Sequence, residues 1–346
     1  METRTTAGTT NPELTVAQEP VVEQAPTAEE APTLEREPVI EREPTDQVRI
    51  SEEPVEPEPA VSRHPDAGPG TAGDGSEADD VTPDETFTKR RFGAPRGFFD
   101  AEVAGLHWLA AAVSTGGVLV ARPLEVHEDR LVLPRLVEIP ATDEAAVAFG
   151  RALAATHRSG APWFGCPPAE WDDDGFIGPL PLSHVRSEAD PDARTWGRFY
   201  ARRRIAPFLR AARDAGRLSP SVTRLVDRLC SRLEDGDEQL VGPVPEPASR
   251  LHGDLWAGNV LWTPDGVVLV DPSAHGGHRE TDLAMLDLFG LPRLSTVLAA
   301  YDEAWPLADG WHDRVALHQL YPLLVHVVLF GGGYAAQVET VARRYA

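Results

Sequence analysis

Leu251-His252-Gly253-Asp254-Leu255-Trp256-Ala257-Gly258-Asn259-Val260-Leu261-Trp262, then Thr263 and a Pro264-Asp265-Gly266 turn, then Val267-Val268-Leu269-Val270-Asp271, form the stretch from which the rest of the chain is read. His252, Asp254, Leu255 and Asn259 follow the order H-x-D-L-x-x-x-N, the spacing of a phosphoryl-transfer loop in which the Asp takes a proton from the acceptor hydroxyl and the Asn holds a metal ion. Apolar runs at 260–262 and 267–270 flank the turn, which predicts a hairpin that returns Asp271 beside Asn259. Asp271 is then the second candidate metal ligand.

The residue types fit that chemistry. A phosphoryl group in transfer spreads charge over its oxygens, so the protein's work is alignment and neutralisation. Carboxylate and amide oxygens at Asp271 and Asn259 are the hard donors that Mg2+ takes. Asp254 must lie within hydrogen-bond reach of the hydroxyl it deprotonates.

The 346 residues carry a formal net charge of −23, and residues 1–85 alone hold 22 acidic and 5 basic side chains. An anionic chain with no basic stripe is repelled by phosphate backbones, which argues against nucleic acid and anionic membrane surfaces as partners. Two cysteines, Cys166 and Cys230, supply neither a disulfide framework nor a metal cluster. With no apolar signal core and no run long enough to span a bilayer, the chain is expected to be a soluble cytoplasmic protein. Its oligomeric state is not legible.

Residues 1–85 are rich in Glu, Pro, Thr and Ala, with Glu-Arg-Glu-Pro at 35–38 and again at 41–44. Such a segment buries too little apolar surface to offset its ordering entropy, so a disordered acidic tail is expected. The Gly-rich run at 68–75 lacks a preceding strand and a Gly-Lys-Ser/Thr, and is read as linker. From residue 86 the pattern changes: Thr86–Thr88 suit a strand leading to Lys89, and Phe98, Val103, Leu106 and Leu109 recur at helical spacing around Glu102. Strands are expected at 118–120 and 131–133. The second runs into Pro134, Arg135 and Leu136, where a lobe-joining hinge belongs. Helices are expected at 145–157, 191–215, 219–234, 282–289, 294–303 and 316–330, a loop rich in Trp, Asp, Gly and Pro is expected at 160–186, and the Ala-Arg-Arg-Arg of 201–204 is read as a helix surface.

On these residues the chain resembles the fructosamine (ketosamine) kinase family, a branch of the protein-kinase-like and aminoglycoside phosphotransferase-like fold. The resemblance spans about 87–334. It rests on Phe98-Phe99-Asp100-Ala101-Glu102, on Phe176-Ile177-Gly178, on the 251–261 loop with Trp256 after Asp254-Leu255, on Asp271-Pro272, on Arg279-Glu280-Thr281-Asp282-Leu283-Ala284, and on Gly331-Gly332-Gly333-Tyr334. It implies an α+β, two-lobed fold with a reduced N-terminal β lobe at 86–138 and a mainly helical C-terminal lobe at 139–346, behind the acidic tail. It further implies ATP and Mg2+ as cofactors, with Asp254 as the base and Asn259 and Asp271 on the metal. Lys89 with Glu102 would steady the nucleotide phosphates, Leu133, Pro134 and Leu136 would meet the adenine, and Trp256 and His275 would stand at the sugar site. Glu280 and Asp282 are read as framework that anchors the loop after the metal ligand.

The chain departs from the family's pattern in four places. No convincing strand pair with a nucleotide-covering loop precedes Lys89, Pro134 removes an amide proton at the hinge, His275 and His278 replace aromatic and acidic residues, and Val325 replaces a polar one. The leading expectation is a kinase that phosphorylates a sugar hydroxyl of a ketosamine in protein deglycation. An aminoglycoside or other small aminoalcohol acceptor, and a kinase-like interaction protein with impaired nucleotide binding, are the alternatives.

Overall fold

The computed structural model describes residues 85–346. The acidic tail, the Gly-rich run at 68–75 and the question of a hairpin ahead of Lys89 lie outside the described residues, Glu85 apart.

Strand β1 (Thr86–Arg90) leads through a turn into helix α1 (Phe98–Ala110), followed by short strands β2 (Leu119–Val120) and β3 (Glu125–Val126) and by β4 (Arg130–Pro134). β4 lies between β1 and β3, antiparallel to both, with Lys89 opposite Leu131. Side chains alternate across β4, so Leu131 and Leu133 face inward and form a small core with Phe99, Leu106 and Val268.

After β4 the chain enters α2 (Asp143–Arg158). Thr142 caps it by accepting a hydrogen bond from the Ala145 amide at 3.1 Å, with Asp143 and Glu144 in the first turn and His157 and Arg158 in the last. Each complements the helix dipole. Strands β5 (Gly175–Ile177) and β6 (Leu180–Leu182) form a hairpin inside the 160–186 stretch that reads as loop. Helix α3 (Trp196–Phe199) continues through a π-helical turn at Tyr200–Ile205 into α4 (Ala206–Asp214), and α5 (Pro220–Glu234) and α6 (Glu238–Val241) follow.

The hairpin read from the sequence is present: β8 (Val260–Thr263) pairs with β9 (Gly266–Leu269), after β7 (Ser249–Leu251) and before β10 (His275–Gly277). β2 joins β9 in parallel, so a strand from the first part of the chain extends this sheet. β9 binds two cores together, because Val267 and Leu269 face the core around α2 while Val268 faces that of β4 and α1. β7 pairs antiparallel with β10, Leu251 opposite His275, and this lays the residues after Leu251 against those before His275.

Helices α7 (Arg279–Leu288), α8 (Leu294–Ala304), α9 (Trp311–Phe330) and α10 (Tyr334–Tyr345) complete the chain. α8 crosses α2 closely enough that a Cβ on Gly150 would lie 2.3 Å from the Val297 carbonyl oxygen. Pro322 lies inside α9, and lacking an amide proton it cannot bond to the carbonyl of His318. The Tyr200 hydroxyl supplies the missing partner, 2.8 Å from that oxygen, and itself accepts the Tyr321 amide at 3.2 Å. No described helix is long and apolar enough to cross a membrane.

Candidate active site

The loop that begins at His252 is held from beneath by one carboxylate. Asp282, buried in the first turn of α7, accepts the His252 amide at 2.8 Å and the Gly253 amide at 3.0 Å. His157 approaches the same carboxylate at 3.1 Å and lies 2.8 Å from the Tyr301 hydroxyl. The His252 ring donates from Nε2 to the Val270 carbonyl at 2.8 Å and accepts the Asp254 amide at Nδ1 at 3.3 Å. Those two bonds require the neutral tautomer, in keeping with a pKa that burial lowers. Gly253 has φ +81°, and a Cβ there would lie 2.1 Å from the Ser273 carbonyl oxygen. Only glycine fits at that crossing.

The side chains that the motif predicts meet above this base. The Asn259 amide nitrogen donates to the Asp254 carbonyl at 2.8 Å, with Asp254 Oδ2 at 3.3 Å and the Asp271 carbonyl at 3.5 Å. Since the nitrogen is engaged within the loop, its oxygen is the atom Asn259 has to offer a cation. Asp271 adopts φ 54°, a left-handed backbone that a non-glycine residue seldom takes, at the end of the hairpin. Its Oδ1 lies 3.1 Å from Lys89 Nζ, which also donates to Glu102 Oε2 at 2.8 Å. β1 and α1 thus bring Lys89 and Glu102 to the carboxylate the hairpin delivers.

The electrostatics follow from crowding acids in a sheltered place. Burial, reinforced by the charge of Asp271, pushes the Asp254 carboxyl up to about 7 despite the Asn259 hydrogen bond. Burial likewise raises Glu102, against the pull of Lys89. For Lys89, burial acts downward but the Glu102 and Asp271 charges outweigh it, and the ammonium is held above its usual range. Two hard oxygen donors, Asp271 and Asn259, with the Asp254 carboxyl beside them and a paired lysine opposite, suit a divalent cation that keeps other oxygen donors in its remaining positions.

The cleft over these groups is walled by Lys89, Phe98, Glu102, Phe176, His184 and Asp254, among others. Two residues expected at the sugar site stand elsewhere. His275 is 2% exposed, with Nδ1 bonded to the Ser273 carbonyl at 2.8 Å and Nε2 facing Arg204, so it backs the cleft wall and its side chain is closed to a substrate. Trp256 is half-buried, its ring over Gly258 and edge-on to Phe289, outside the groups that wall the cleft. Leu133 is buried in the β4 core and Leu136 packs at its edge, so neither side chain lines the cleft. Pro134 is half-buried opposite Thr86, and the next amide, Arg135, donates to the Glu85 carbonyl at 2.7 Å.

The framework pair divides its work differently from the sequence reading. Asp282 anchors the His252–Gly253 loop itself. Glu280 pairs with Arg314 through both oxygens, at 2.6 and 2.9 Å, with His318 at 3.2 Å. His278, Glu280 and His318 bring ligand-type atoms within 4.8 Å of one another, but the guanidinium already occupies both carboxylate oxygens. The sequence reading assigned no site role to Phe98, Phe176 or His184, and the 160–186 segment carries no periodicity that would have picked out His184.

The fructosamine kinase family model matches residues 75–345. The chain is 46% identical to a crystal structure from Thermobifida fusca described as a "putative fructosamine-3-kinase", with a TM-score of 0.67 over 75% of this chain and 85% of that one. It is 33% identical to a "probable ketoamine kinase" of Enterococcus faecium over 75% of this chain and 87% of the relative. A "probable ketoamine kinase" of Thermus thermophilus is 35% identical over 69% and 79%.

Proposed function

The chain belongs to the fructosamine kinase family, within the two-lobed protein-kinase-like fold, and we propose that it transfers a phosphoryl group from ATP, with Mg2+, to a sugar hydroxyl of a ketosamine. It is a phosphotransferase with an alcohol group as acceptor. The observation that carries the finer reading is the convergence of Asp254, Asp271 and Lys89 on one cleft, with Asn259 bonded to Asp254 behind them.

In this reading Asp254 accepts the proton of the acceptor hydroxyl as the oxygen attacks. A pKa near 7 gives the group enough basicity to accept that proton while a large share remains ionised at neutral pH. Asn259 orients Asp254 through its amide, and His252 and Asp282 fix the loop behind it. Lys89, positioned by Glu102, meets the nucleotide phosphates, and the segment from Leu133 through Pro134 to Leu136 offers the adenine backbone carbonyls rather than side chains. Asn259 and Asp271 would hold Mg2+, which when bound would supply charge neutralisation to the transferring phosphate. Phe98 and Phe176, 5.1 Å apart between ring centroids, give the cleft an apolar wall suited to the face of a sugar or its amine substituent. Phosphorylation labilises the adduct, which makes repair of glycated amines the purpose we assign. Two free, buried cysteines suit a reducing cytoplasm.

The test incubates the protein with ATP, Mg2+ and a panel of fructosamine, ribulosamine and aminoglycoside acceptors, with phosphate adducts read by mass spectrometry. Transfer to ketosamines alone is the expected result. Transfer only to an aminoglycoside, or to no acceptor, overturns the reading.

A further inference from the structure

The mouth of the cleft carries a cation that the phosphoryl-transfer chemistry does not use. Arg91 stands half-buried in the turn between β1 and α1, and among the described residues no carboxylate lies within 4.0 Å of its guanidinium. The guanidinium lies over the Phe98 ring at 4.2 Å and reaches the Gly178 carbonyl at 3.5 Å. Phe98 and Gly178 both wall the cleft. Arg91 is therefore on the rim, opposite the tip of the β5–β6 hairpin, with one long hydrogen bond for its five N–H donors.

The turn that carries Arg91 is fixed along this rim. The Arg91 amide donates to the Asp129 carbonyl at 3.0 Å, and the Ala94 amide donates back to the Arg91 carbonyl at 3.3 Å. At the other end Gly97, with φ +78°, packs on Trp171 so closely that a Cβ would lie 2.7 Å from the indole ring. The Trp171 amide in turn donates at 2.9 Å to the carbonyl of Pro168, another wall residue. Both ends of the turn thus ride on the cleft wall.

The local charge is opposite to that of the chain. Residues 86–99 hold four cations, Lys89, Arg90, Arg91 and Arg96, and no acid, in a chain of net charge −23. Lys89 is committed inside the cleft to Glu102 and Asp271. The neighbouring acids are largely engaged elsewhere: Asp129 pairs with Arg130 at 3.5 Å, Asp173 and Asp174 with Arg186 at 2.5 and 3.6 Å, and Asp172 is exposed. A patch of uncompensated positive charge at a cleft mouth draws anions to it.

The acceptor's chemistry says which anion. With the sugar hydroxyl at Asp254, the amine and whatever it is attached to lead past Phe98 and Phe176 to the mouth. An adduct of a free amino acid bears a carboxylate one carbon from that nitrogen, whereas a lysine side chain in a protein bears none nearby. A guanidinium stacked on an aromatic face keeps its edge N–H groups free, and their fork matches a carboxylate. We infer that Arg91 is a carboxylate-recognising residue at the cleft mouth and that it directs the enzyme to ketosamines of free amino acids. This deepens the kinase reading and rests on it.

The test measures kcat and KM for fructosyl-glycine and fructosyl-glycinamide, which match in size and differ in charge, with KM for ATP measured alongside. The wild type is expected to show a KM about five- to tenfold lower for the glycine adduct. Arg91→Gln should melt with the wild type and raise KM for the glycine adduct by about the same factor, leaving kcat, the glycinamide adduct and KM for ATP as they were. Equal wild-type KM values for the two adducts overturn the site. So does a variant that raises both acceptor KM values alike, the mark of a latch to Gly178, or one that raises only KM for ATP, the mark of a phosphate contact. If Arg91→Gln does not fold, the wild-type comparison decides. If neither adduct is phosphorylated, the kinase reading falls, and calorimetric titration of the two adducts still reads the carboxylate site by itself: tighter binding of the glycine adduct upholds it, and equal binding overturns it.

Discussion

Asp282 stands 30 residues after His252, yet its Oδ2 accepts the His252 backbone amide at 2.8 Å while its Oδ1 accepts that of Gly253 at 3.0 Å. One carboxylate on α7 thereby fixes the backbone from which Asp254 projects. Asp282→Ala removes the acceptor of two buried amides and of His157, each of which then carries its own desolvation cost. The expected loss is about 3–5 kcal/mol, and in a domain of this size that lowers Tm by roughly 2–4 °C per kcal/mol. A thermal melt by circular dichroism checks it, and a variant that melts with the wild type contradicts the clamp.

Glu102→Gln tests the partnership with Lys89. The carboxyl is buried, and burial raises its pKa, so removing its charge should leave Tm within a few degrees of the wild type. Lys89 then keeps only Asp271 as a charged partner, at 3.1 Å. ATP affinity is expected to fall about tenfold, since the lysine is no longer positioned for phosphate. Titration of the nucleotide by calorimetry decides, and unchanged affinity would remove Glu102 from the site.

Asp271→Asn is the variant that separates charge from backbone. Asp271 sits at φ 54°, a conformation Asn also tolerates, so the hairpin should fold as before. What disappears is a negative charge for the cation. Turnover should drop by at least about a hundredfold with no loss of Tm, and Mg2+ should no longer shift the melt. Near-normal turnover would mean that Asp271 does not hold the metal.

The sequence made the centre legible because chemistry constrains it. His252, Asp254, Asn259 and Asp271 declare themselves through spacing, and alternating apolar runs declare the hairpin that joins them. What stayed hidden depends on contacts between distant segments. Arg204 sits among three consecutive arginines, and the π-turn that rotates it inward leaves no mark on composition, so the segment reads as surface. His275 looks available in the sequence, but pairing with Leu251 buries it. The β5–β6 hairpin is three residues a side, too short for alternation to show, whereas α10 does carry a helical signal in the sequence, Val338, Val341, Ala342 and Tyr345 standing at i, i+3, i+4 and i+7.

Asp254 gives the test on which the functional reading most depends. Its carboxyl is pushed up to about 7 by burial and by the charge of Asp271, and only the ionised form can accept a proton. The kcat of the wild type should therefore rise with pH and level off above about 7. Asp254→Asn keeps the shape but removes the acceptor, so kcat should fall by about 10²–10⁴ with ATP affinity intact, the signature of an interaction made in the transition state. Stability moves the other way. Because the folded pKa lies above the unfolded value of about 3.9, the native protein binds the extra proton between those limits, so Asp254's contribution is present at low pH and lost as pH rises through about 7. Asp254→Asn has no such proton to lose. Melted side by side without divalent cation, the variant should gain on the wild type between pH 5 and pH 8. Added Mg2+ should narrow that gap by favouring the ionised wild type. A flat rate profile across neutral pH, together with parallel melting curves, would show that Asp254 is neither the base nor a strained carboxylate.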